Sequence, residues 1–192
     1  MILPARFRFA VLPVLLLCSQ DGGLLAAPPA NDNLASAPIL HFSGTAAEAS
    51  TTVEATMEGS EPFPTGYSAA NYQGTVWWSW TPNILNPSGA WYELETTGST
   101  ADTVLSLWTG ANFSSPLSLV HVNNNNPAIP ADGTNSRIRF FAPFNTTYRI
   151  AVASATATRG TVMLKGSPLG GLNYFKVSAA TFTPATANVS LR

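Results

Sequence analysis

Apolar and polar positions alternate with a period of two along most of this chain. The densest run is Thr75-Val76-Trp77-Trp78-Ser79-Trp80-Thr81-Pro82. A helix would scatter three indoles around its circumference. A strand sends Val76, Trp78 and Trp80 to one face and Trp77, Ser79 and Thr81 to the other. Pro82 has no N–H to give and ends the pairing. The same alternation predicts strands over 91–97, 103–109, 137–142, 148–153 and 161–165, and shorter ones over 39–42 and 117–122. Residues 45–56, rich in Thr and Ala, read as one strand or two. Between them lie Gly, Pro, Asn and Ser clusters, the longest at 58–71 with Pro62, Pro64 and Gly66, and a four-asparagine loop at 123–126. No segment of helical period is left. The fold class is all-β: an antiparallel β-sandwich of jelly-roll type with about eight or nine strands.

The two ends read differently. Arg6 and Arg8 precede an apolar run over 9–18, and small residues follow at Ala26 and Ala27. This is the pattern of a secretory signal peptide, cleaved after Ala26 or Ala27. The apolar run is too short to span a bilayer, which takes about twenty residues. Cys18, the only cysteine, falls inside the leader, so the mature chain has no thiol and no disulfide. The expected organisation is a leader over 1–27, a sandwich domain over 28–166, and a linker with a tail or the start of a further module over 167–192. Gly166-Ser167-Pro168-Leu169-Gly170-Gly171 has linker composition. The expected location is secreted or cell-surface, with no membrane span in the mature chain.

Only 10% of residues are charged and the net charge is −1. Nucleic acid is excluded as a partner, because phosphate binding needs a basic patch. Catalysis also finds little support. His41 and His121 are the only side chains suited to general-base work near neutral pH, and neither lies near a nucleophile-elbow pattern. Glu93 with Glu95 and Glu58 with Glu61 are the acid pairs a glycosidase could use; Glu93 and Glu95 share one strand face, where two acids more often make a solvated edge. The expectation is no enzyme.

Taken in order, several motifs resemble the bacterial pre-peptidase C-terminal domain of secreted proteins. They are Pro28-Pro29-Ala30-Asn31-Asp32-Asn33-Leu34, Ala55-Thr56-Met57-Glu58-Gly59, the tryptophan strand, Thr97-Gly98-Ser99-Thr100-Ala101-Asp102, and Thr147-Tyr148-Arg149-Ile150-Ala151-Val152. The resemblance spans 28–165. It implies a non-catalytic β-sandwich attached to secreted proteases or surface proteins, with a role in binding or in maturation of its neighbour. It also implies a calcium candidate, because related collagen-binding modules use an Asn-Asp pair that Asn31 and Asp32 match. Here Pro29 and Ala30 stand where an acid precedes that pair, and Gly74-Thr75 where another acid is placed. No other cofactor is expected.

Binding by aromatics is the remaining chemistry. Trp78, Trp80, Tyr92, Phe140 and Tyr148 fall on the faces assigned to the core. Trp77, Trp91, Trp108 and Phe141 fall on the opposite register. Exposed there, Trp77, Trp91 and Trp108 are the candidate ligand-binding residues; packing under a long loop is the alternative for each. The expected role is an accessory module attaching to an extracellular protein, matrix or polysaccharide surface. Carbohydrate binding and a structural spacer appended to a secreted protease are the alternatives.

Overall fold

Eight strands are described, seven of them where the alternation places strands and the first within the Thr/Ala-rich segment 45–56. They are β1 (Ala47–Thr51), β2 (Gln73–Trp80), β3 (Ala90–Glu95), β4 (Thr103–Thr109), β5 (Ser118–Asn123), β6 (Arg137–Ala142), β7 (Tyr148–Ser154) and β8 (Thr161–Leu169). The computed structural model describes residues 26–42, 47–82, 88–126 and 133–169. The leader through residue 25 and the tail from residue 170 lie outside the described residues.

Two four-stranded sheets result, β1-β8-β3-β6 and β2-β7-β4-β5, with every strand pair antiparallel. Only β4 and β5 are both consecutive and paired; every other step in the chain crosses from one sheet to the other. That order is two interlocked Greek keys, a jelly roll. The core lies between the sheets, where Trp78 and Trp80 meet Leu94, Ile138, Phe140 and Tyr148. Trp80 anchors it, with Tyr92, Phe42, Tyr148 and Phe140 rings at 4.6, 4.9, 5.7 and 6.0 Å. Every aromatic assigned to the core from its register packs there.

Two segments differ from their expected form. Residues 39–42 make a single parallel bridge, Ile39 to Ser79, rather than a strand. The presumed linker at 166–169 is instead the end of β8, paired with β3 through Gly166 to Leu94, Ser167 to Glu93, Pro168 to Tyr92 and Leu169 to Trp91. Its composition has structural causes. A Cβ on Gly166 would lie 2.0 Å from the Phe42 ring, so the ring occupies the place of a side chain. Among the described residues β1 pairs with 161–165 of β8, so Pro168 lies beyond that ladder, where a missing N–H is tolerated.

The outer faces of the two sheets are treated differently. On β2-β7-β4-β5, chain from before β1, from the β1–β2 connection and from the β4–β5 turn lies over the strands. One satellite cluster gathers Leu34, Trp77, Trp108, Leu117 and Ala151 with Phe113 against it. A second gathers Tyr72, Val104, Ala153 and Ala155 with Met57 and Tyr67. The outer face of β1-β8-β3-β6 carries no such layer among the described residues, and its side chains meet solvent.

Candidate functional site

This asymmetry sorts the candidate tryptophans. Trp77 is 0% and Trp108 2% exposed, whereas Trp91 is 55% exposed. The expectation that Trp77 and Trp108 are surface ligand-binding residues is corrected. Both do point away from the sandwich core, as their register requires, but the loops above them form a second apolar layer. The Phe113 ring packs edge-on against Trp77 at 5.8 Å. The Trp108 indole donates to Ser106 Oγ at 2.9 Å, and that hydroxyl also bonds Tyr72 Oη at 3.0 Å. These tryptophans pack a layer and are not accessible to a partner.

Trp91 keeps the exposure predicted for it, and it is not alone. Directly opposite on β6 is Phe141, and opposite on β8 is Leu169, all on the open outer face. The Trp91 and Phe141 ring centroids are 6.0 Å apart with planes at 67°, so the pair forms a corner and not a flat shelf. Phe141 is also exposed. Its ring lies over Gly89, where a Cβ would come within 2.9 Å of Cζ; that backbone, at φ +80°, suits glycine in any case.

The next outward row along the strands is charged. Glu93 stands opposite Arg139, and its Oε2 accepts from Arg139 Nε at 2.6 Å and pairs with the Arg137 guanidinium. Burial alone would raise the Glu93 carboxyl, but the hydrogen bonds from Arg139 and Arg137 outweigh it and hold the group below its usual range. It stays ionised, and the exposed Arg139 keeps donors free for a partner beside the aromatic corner. An apolar corner edged by charge-assisted donors has the makeup of a contact patch.

Asn31 and Asp32 do different work from calcium binding. Sheet β2-β7-β4-β5 ends at β2, whose outer edge would present unpaired N–H and C=O groups. Asn31 closes a ring there: its carbonyl accepts the Trp77 N–H at 2.9 Å while its Nδ2 donates to the Trp77 carbonyl at 3.1 Å. Ser50 Oγ takes up its Oδ1 at 2.6 Å. The Asp32 carboxylate accepts the Thr56 N–H at 2.6 Å and the Thr56 Oγ–H at 2.8 Å. The Thr56 carbonyl in turn accepts the Thr75 N–H, and Pro38 and Leu40 bond Ser79. Calcium wants six to eight oxygens, several of them carboxylate. Asp32 brings one carboxylate, already engaged, and among the described residues no three acidic, histidine or cysteine side chains gather. The residues do not fit the metal.

Beneath this strip lies Glu61, named from sequence only as one half of an acid pair with Glu58 and not as a buried group. Glu61 Oε2 accepts the Glu58 N–H at 3.1 Å, while Oε1 is buried without a hydrogen-bond partner. Burial, reinforced by the neighbouring Glu58 carboxylate, pushes the Glu61 carboxyl up to about 7. Its sequence context, an acid between Ser60 and Pro62 in a long loop, carries no sign of burial. Only the packing of that loop against β2 creates it.

Searches with this chain found no matching family model, no similar curated protein and no similar solved structure. Among the described residues no helix is long and apolar enough to cross a membrane.

Proposed function

We propose that this chain is a secreted, non-catalytic attachment module that grips an extracellular protein surface through the Trp91–Phe141 corner. One observation carries the reading. Of the three outward-facing tryptophans, the fold seals two under loops and leaves the third exposed, paired with an exposed phenylalanine beside an arginine-held carboxylate. Two large rings exposed side by side on one sheet face form a contiguous apolar patch, the kind of surface that contact sites use. The motif order that resembles the pre-peptidase C-terminal domain supports the same role, as does the leader-like N-terminus.

The angle between the rings favours protein over polysaccharide. A flat sugar surface stacks best on coplanar rings, whereas planes at 67° make a notch suited to a projecting side chain. The test is retention on two panels: matrix or cell-surface proteins, and insoluble polysaccharides. Retention on proteins should fall by about tenfold or more in Trp91→Ala and Phe141→Ala, the loss expected for a central aromatic anchor. Both variants should keep the parent circular dichroism spectrum. Retention only on polysaccharide would turn the reading to carbohydrate binding. Retention on neither panel would leave the spacer reading in its place.

A further inference from the structure

A second concave surface lies on the other sheet. A cavity of about 470 Å³ opens between the short turn after Asn33, the turn at 58–60 and the β4–β5 connection. Its volume suits a small organic ligand. Leu34, Ala37 and Phe113 supply apolar wall, and two opposite charges line the same space, Glu58 and Arg149.

Neither charge is spent on the other. Arg149 projects outward from β7, in register between Ser79 and Trp108. Its Nη2 donates to the Ala111 carbonyl at 3.3 Å, and its Nε is buried with no partner. Among the described residues no carboxylate pairs with it, in contrast to Arg137 and Arg139, which share Glu93. A guanidinium with five donors, one of them buried and unbonded, calls for an anion. Glu58 Oε2 accepts the Leu34 N–H at 2.7 Å. A carboxylate has about four acceptor positions, so one such bond leaves capacity on the cavity wall.

We propose that this cavity binds a small zwitterion with an apolar body, of the class of free amino acids and short peptides. The ligand carboxylate meets Arg149, its ammonium meets Glu58, and its apolar part lies on Phe113 and Leu34. Charge selects this class. A plain anion is repelled by Glu58 and a plain cation by Arg149, whereas a ligand carrying both satisfies both walls. The site is on the opposite sheet from Trp91 and Phe141 and goes beyond the attachment reading, so either one can fail without the other.

The experiment titrates isotope-labelled protein with leucyl-leucine, its N-acetyl form and its C-terminal amide, following backbone amide shifts. The free dipeptide should give saturable shifts centred on Ala111, Phe113 and Leu34. Capping either end should weaken binding by about tenfold or more, one lost ionic contact. Glu58→Gln, which keeps an acceptor for the Leu34 N–H, should abolish the penalty for N-acetylation alone. Arg149→Gln should abolish the penalty for amidation alone. If Arg149→Gln fails to fold, the three ligands on the parent protein still decide. No saturable shift up to about 10 mM, equal affinity for all three ligands, or shifts centred on Trp91 would each overturn the proposal.

Discussion

Single side chains show the consequences of the covered face most directly. A carboxyl whose folded pKa is raised makes its favourable contribution below the unfolded value and loses it as pH climbs through the folded one. For Glu61 that window runs from its ordinary 4.5 to about 7. Stability should therefore fall across this range, and Glu61→Gln should flatten the profile and be the more stable form at pH 8, by about 2–3 kcal/mol. Urea midpoints for both proteins from about pH 4 to about pH 8 would check it; parallel profiles would show that Glu61 is hydrated in solution. The tryptophans make a second comparison. Trp77→Ala and Trp80→Ala should each cost about 3–5 kcal/mol, since each removes a buried ring and leaves a cavity. Trp91→Ala should cost less than about 1 kcal/mol, the scale of one exposed cross-strand pair. Chemical denaturation of the three variants reads this directly, and a mild Trp77→Ala would mean that the loop layer lifts away from β2.

At the scale of elements, strand existence was legible because period-two alternation reports which side chains share a face. β4 and β6 match their expected bounds, and the others differ by a few residues at their ends. What alternation does not report is how many layers lie over each face. Trp77 and Trp91 are read alike from sequence, yet one is sealed by chain distant along the sequence and the other is not. Leu34 and Phe113 lie in short segments with no periodicity to mark them as lids. The β8 terminus was missed for a related reason: glycine and proline mark a linker by composition, but here Gly166 accommodates the Phe42 ring and Pro168 continues the pairing with β3. Gly166→Ala should accordingly destabilise by about 1–3 kcal/mol through overpacking. Combined with Phe42→Ala it should cost clearly less than the sum of the single changes, and additivity in that double-mutant cycle would dissociate the glycine from the ring.

The strip from Asn31 to Leu40 is an element of its own kind, covering an edge without being a full strand. Asn31→Ala should lose about 1–2 kcal/mol, because it strips a partner from the Trp77 carbonyl and from Ser50. Hydrogen exchange should show faster exchange at the Thr75, Trp77 and Ser79 amides in that variant, and unchanged protection there would refute the edge-sealing role. Thermal melts with EDTA and with excess calcium should coincide. A rise of several degrees with calcium would mean that the ion binds the native state after all.

For the whole molecule, the two sheets divide labour. One side is a stack of core, sheet and loops, and on the other no layer among the described residues covers the sheet face. The chain leaves the described sandwich at Leu169, in the same row as Trp91 and Phe141. Whatever continues from there starts one inter-strand spacing, about 4.8 Å, from the Trp91 backbone. The opposite end, residues 26–30, leads into the strip that lines the β2 edge. A tag, dye or bead joined directly after Leu169 would therefore crowd the Trp91–Phe141 corner. The same cargo carried at the N-terminal side would leave the corner facing outward. The position of the attachment point thus decides which way the module faces when it is immobilised.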